Sequence, residues 1–151
     1  MVMEANCIGL PSSVRLTLED READLRPAAE LQYEDVRIAL RTERDGLAVF
    51  LSAEGQAVRA LTLTWECAAG PECRFLGDAF ERAYGDLAWL RADGGRCLPW
   101  YFLAYEDGVT LCCGVQVRPA AICCWRCDGK TVTLHLDVRN GGRGVQLRGR
   151  E

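Results

Sequence analysis

The chain has 151 residues, 49% of them hydrophobic and 26% charged, with a formal net charge of −4. That size and balance suit one soluble domain that removes roughly two thirds of its unfolded surface from water. A single lysine, Lys130, and arginines scattered among acids argue against a nucleic-acid partner, which needs clustered cations to neutralise phosphates, and no apolar run approaches the ~20 residues of a membrane helix.

The first residues, Met1 to Cys7, place an acid where a secretory signal would carry positive charge, and no apolar stretch follows, so a cytoplasmic location is expected. Nine cysteines, an odd number in a chain with no export signal, are expected to be reduced thiols rather than a disulfide framework. A strand is predicted at Val14 to Glu19. Residues Glu19 to Gln32, rich in Glu, Asp, Arg and Ala around Pro27, show no clean period of two and read as a connecting loop. Asp45-Gly46 marks a hairpin between 36–43 and 47–53, and a further strand is predicted at Val58 to Glu66. The run 76–89 mixes carboxylates, glycines and aromatics, and is read as irregular surface structure followed by a strand from Asp86 to Arg91. Asp107-Gly108 joins 100–105 to 109–117, Asp128-Gly129 joins 120–127 to 130–138, and a last strand falls at Val145 to Leu147. Short strands at this spacing predict an all-β fold, an antiparallel β-sandwich or barrel with little helix, in one domain over 1–151.

Register follows in the last meander. A two-residue turn at Asp128-Gly129 sets Cys127 opposite Lys130, Trp125 opposite Val132 and Cys123 opposite Leu134. If Arg118-Pro119 turns the preceding hairpin, Trp125 also faces Cys112 and Cys124 faces Cys113. One sheet face then carries Cys112, Gly114, Cys123, Trp125, Val132, Leu134 and Leu136 and should be core, whereas the other carries Cys113, Val115, Ile122, Cys124, Thr133, His135 and Asp137 and is mixed.

Few residues suit catalysis. Cys124-Trp-Arg-Cys127 is formally a C-x-x-C, but Cys124 falls inside a strand and points away from Cys127, so buried packing is favoured over zinc or redox chemistry. His135 is the only histidine, which removes most acid–base schemes, and no G-x-S-x-G or Walker-type loop occurs. Asp78, Glu81 and Asp86 lie close enough to share a site, yet Arg82 is adjacent and ion pairing is the favoured role. Tyr84, Trp89, Trp100, Tyr101 and Phe102 offer flat apolar faces of the kind on which sugars stack while carboxylates hold their hydroxyls, although Phe80 and Phe102 read as core. No metal or cofactor is expected.

Three stretches carry a family resemblance: Leu76-Gly-Asp-Ala-Phe-Glu-Arg-Ala-Tyr-Gly-Asp-Leu-Ala-Trp89, Leu98-Pro-Trp-Tyr-Phe-Leu103 and Leu136-Asp-Val-Arg-Asn-Gly-Gly142. In this order they resemble the amino-terminal β-sandwich domain of α-galactosidase-like proteins of glycoside hydrolase family 36. The resemblance implies a supersandwich similar to galactose mutarotase, preceding a (β/α)8 barrel that holds two catalytic aspartates. No position here corresponds to those aspartates, so the chain is expected to be noncatalytic by itself, as the front part of a longer hydrolase. Its implied partners are the downstream barrel, further copies of the enzyme and a galactoside, with an exposed apolar patch where the barrel docks. Asp78, Arg82, Tyr84, Asp86 and Trp100 are the implied sugar-contact residues. Phe80 stands where the family pattern suggests tryptophan, and the cysteines at 112, 113, 123 and 124 depart from it. A self-contained carbohydrate-binding module is the alternative reading.

Overall fold

Residues 9–44, 46–80, 87–116 and 120–148 are described in a computed structural model, and within them the alternating apolar and polar runs become twelve strands. These are β1 (Ser13–Leu18), β2 (Glu22–Leu25), β3 (Glu30–Tyr33), β4 (Val36–Glu43), β5 (Gly46–Glu66), β6 (Arg74–Gly77), β7 (Asp93–Pro99), β8 (Tyr101–Glu106), β9 (Val109–Gly114), β10 (Ile122–Cys127), β11 (Thr131–Asp137) and β12 (Val145–Leu147). Nine of them form a large sheet in the order β2-β1-β5-β11-β10-β7, with β4 and β12 also on β5 and β3 on β4. The other three form a small sheet, β6-β8-β9, and all the pairings are antiparallel. The fold is the expected all-β sandwich.

The 21-residue β5 is the spine, its first part paired with β4 and its last part running between β1 and β11. Such a strand is buried where Leu61, Leu63 and Trp65 alternate with Thr62 and Thr64, because only every second side chain faces the opposite layer. The layers meet through four aromatic rings. Trp65 lies 6.2 Å from Trp125, both from the large sheet; Trp125 meets Phe102 edge-on at 5.5 Å, and Phe102 lies 6.1 Å from Phe75 in the small sheet. Phe102 is thus core, as expected.

Residues Glu19 to Gln32 are not only a loop, for they contain β2 and the start of β3. Both are four-residue edge strands, β2 bonded only to β1 and β3 only to β4. Edge strands expose most of their side chains, so few apolar residues, among them Ala23, Leu25, Leu31 and Tyr33, mark their inward face, and the signal for strand is weak. The strand expected from Asp86 to Arg91 also differs. Asp86 lies outside the described residues, Leu90 makes one isolated bridge to Phe75, and the next strand starts only at Asp93.

Of the expected turns, Asp45 and the pair Arg118-Pro119 lie outside the described residues, although Glu43 does pair with Gly46 across the first hairpin. Asp107 and Gly108 form the expected two-residue turn, with φ of 50° and 80° and Glu106 opposite Val109. At the next hairpin Cys127 pairs with Val132 and Trp125 with Leu134, so Gly129-Lys130 is the turn centre and Asp128 braces it, its Oδ1 accepting from the Lys130 and Thr131 amides at 2.8 and 2.6 Å. The expected register is therefore displaced by two residues. A displacement of two preserves which side chains face inward, so Cys123, Trp125, Val132 and Leu134 are buried as predicted. Cys112 and Gly114 are not on that face. β9 pairs with β8 in the small sheet, β10 takes β7 as its other neighbour, and Cys124 lies opposite Pro99 rather than Cys113.

Candidate contact surface

Trp100 is where the chain leaves the large sheet and enters the small one. Its φ of 69° is left-handed, a conformation that costs a residue with a Cβ roughly 1–2 kcal/mol. The corner is held from both layers. The Trp100 amide donates to the Cys123 carbonyl at 3.4 Å, and its carbonyl accepts from the Val115 amide at 2.9 Å and the Trp125 indole Nε1 at 3.4 Å. The backbone is tied down while the indole is 40% exposed and meets Phe80 edge-on at 6.2 Å. Phe80 is itself 56% exposed, so the expectation that it is core fails; it follows the end of β6 and packs on the corner from outside.

Of the five sequence-implied contact residues, Asp78 and Trp100 are described, and Arg82, Tyr84 and Asp86 lie outside the described residues, as does Glu81. Asp78 is half-buried and its Oδ1 accepts from the Ala79 amide at 2.9 Å. The ring contact of Phe80 brings the segment that carries Asp78 to the Trp100 corner.

A second set of residues extends this surface over the small sheet. Phe75, Phe102 and Ala104 turn inward, which sends Leu76, Leu103 and Tyr105 to the outer face. Leu76 sits opposite Leu103, which sits opposite Cys112, while Arg74 lies opposite Tyr105. Trp89 meets Tyr105 edge-on at 6.0 Å, and the two are 43% and 44% exposed. Arg74, bonded to Glu72 at 3.0 Å, and Arg91, 3.8 Å from the same carboxylate, border the patch with charge. The sequence pattern does not reveal the outward facing of Leu76, Leu103 and Tyr105, because it depends on which sheet β8 and β9 join, whereas Trp89 stands out by its aromatic character alone.

Cys97 and Cys124, whose Cα atoms are 5.7 Å apart on neighbouring strands, are joined in a disulfide, a correction to the expectation of reduced thiols at these two positions; the other described cysteines are in no disulfide. Cys124 is therefore not available as a thiolate ligand for zinc. Burial pushes the Cys123 thiol up, and burial followed by the Glu106 carboxylate and Cys67 does the same at Cys73. His135 lies beside Thr62, Nδ1 to Oγ1 at 2.9 Å, and burial holds its pKa below the ordinary 6.5. Among the described residues no three His, Cys, Asp or Glu side chains converge to hold a metal, and no helix is long and apolar enough to cross a membrane. Compared with models of known protein families, with characterised proteins and with solved structures, the chain matches none.

Proposed function

We propose that this chain is a noncatalytic β-sandwich domain of an α-galactosidase-like glycoside hydrolase, which docks on its (β/α)8 partner through the outer face of the small sheet and turns the Trp100 corner towards a galactoside. The observation that carries the reading is the apolar outer face itself. A solvent-facing antiparallel sheet normally alternates apolar-in with polar-out, yet Leu76, Leu103, Tyr105 and Trp89 lie outside. Contiguous apolar surface of this kind marks contact with another molecule. The sequence resemblance supplies the partner, and the glycosidic chemistry belongs to carboxylates of the barrel.

The test is sedimentation and activity of the purified chain. It should release no phenol from an aryl α-galactoside and should associate with itself at high concentration through the uncovered face, association that Leu103→Glu abolishes. Turnover by the pure chain, or association indifferent to Leu103→Glu, overturns the reading. A cytoplasmic location belongs to the proposal, and the Cys97–Cys124 disulfide bears against it, because cytosolic thiols are mostly kept reduced.

A second reading, a self-contained carbohydrate-binding module, is favoured by one observation: the exposed Phe80 and Trp100 rings adjoin the segment of Asp78. Aromatic faces and a carboxylate are the groups a sugar requires. Millimolar or tighter calorimetric binding of galactose or raffinose, lost in Trp100→Ala, would establish the module, and no heat of binding would leave the docking domain.

A further inference from the structure

At the far end of β8 from Trp100, about 20 Å along the strand, the β5–β6 connection and the β8–β9 turn enclose a pocket of about 390 Å³. Ala68, Ala69, Gly70, Pro71 and Glu72 line it from the connection, and Glu106 and Asp107 from the turn. Glu106 is only 8% exposed, and its Oε2 is enclosed without a hydrogen-bond partner. The carboxylate is seated directly against the loop: a Cβ at position 70 would fall on Glu106 Oε1, so the approach requires the glycine. Among the described residues, Arg74 and Arg91 face Glu72 instead. Arg74 bonds Glu72 and the Pro71 and Cys73 carbonyls, and Arg91 approaches Glu72.

We propose that this pocket binds an organic N–H cation, an ammonium or guanidinium group, on the Glu106 carboxylate. A buried carboxylate with an unpartnered oxygen is costly until an opposite charge meets it. Charged N–H donors form the strong hydrogen bonds that such an acceptor lacks, and the Ala68, Ala69 and Pro71 wall suits the methylene stem behind the charged head. Calcium or magnesium is the poorer fit, because either needs about six oxygens around it and, although Glu72, Glu106 and Asp107 all line the pocket, no three such side chains among the described residues are placed to hold a metal. Glu106 is on the inward side of β8 and the docking residues Leu103 and Tyr105 are on its outer side, so Glu106→Gln tests one reading and Leu103→Glu the other.

The experiment titrates the chain with methylammonium, guanidinium, N-acetyl-arginine amide or calcium at constant ionic strength, following the amide resonances of Gly70, Asp107 and Gly108. Saturable millimolar shifts at these amides with methylammonium or guanidinium support the site, and matching affinity for N-acetyl-arginine amide identifies a protein side chain as its source. In Glu106→Gln the affinity should fall at least about tenfold. Gly70→Ala, which pushes the carboxylate from its seat, should do likewise. Shifts no larger than those with sodium chloride, tighter binding of calcium, or full binding in Glu106→Gln overturns the proposal. The measurement on the unaltered chain decides the matter even if a variant fails to fold.

Discussion

Replacing Trp100 by alanine and by glycine isolates the backbone corner that joins the two sheets. Both variants lose the same indole and the same edge contact with Phe80, so those losses cancel between them. What differs is the residue at φ 69°. Alanine retains the left-handed penalty of roughly 1–2 kcal/mol, whereas glycine escapes it and instead loses roughly 0.5–1 kcal/mol of extra unfolded-state freedom. Trp100→Gly should therefore make the more stable protein by about 0.5–1 kcal/mol, the reverse of the usual order of these two residues. With a urea dependence of about 2 kcal/mol per molar, the midpoint of Trp100→Gly should lie about 0.25–0.5 M above that of Trp100→Ala. Equal midpoints, or a higher one for alanine, would show that the corner relaxes out of the left-handed region and that the hydrogen bonds from Val115 and Trp125 do not hold it. If glycine wins, a tryptophan occupies a position whose backbone disfavours it, as contact surface would demand.

Phe102 is fully buried between Trp125 and Phe75, so Phe102→Ala should cost about 3–5 kcal/mol and lower the melting temperature by roughly 10 °C, read by calorimetry. The depressed pKa of His135 means that the unfolded chain binds its proton more readily, so this group's contribution is complete above pH 6.5 and is lost as pH falls through the folded value. Denaturant titrations should show stability declining below pH 6.5 with a shallower slope in His135→Asn; identical slopes would sink the assignment. The Cys97–Cys124 bridge spans 27 residues, and its loss by Cys97→Ser with Cys124→Ser should cost up to about 3.5 kcal/mol by the loop-entropy relation. Reductant should lower the unfolding midpoint of the native chain and leave that of the double variant unchanged.

The large sheet was legible because its signals are redundant. Val14, Leu16 and Leu18 alternate with Arg15 and Thr17, and a displacement of two residues at Asp128 leaves Trp125 and Val132 inward whatever the turn. Redundancy fails at edges. β2 and β3 bury one side of four-residue segments, too few positions for a period of two to emerge from the surrounding charges. Pairing between distant strands is likewise absent from local pattern: β9 follows a turn and precedes β10, and nothing in Cys112-Cys113 says that its neighbour is β8 alone.

The contact surface was half legible for the same reason. Trp100 and Asp78 stand out by composition, but composition cannot distinguish an aromatic that fills the core from one that faces out: Phe102 and Phe80 were read alike, and only the first is buried. The difference comes from the left-handed corner between them in space. Passing from one layer to the other at Trp100 leaves Phe102, two residues on, facing Trp125, and leaves the Trp100 ring outside, where Phe80 meets it. Glu106 continues the inward alternation of Phe102 and Ala104, so the parity that builds the core also carries a carboxylate into the protein at the strand's end. A strand that is hydrophobic at two inward positions and acidic at the third thus packs the core at its start and brings a carboxyl group inside at its end.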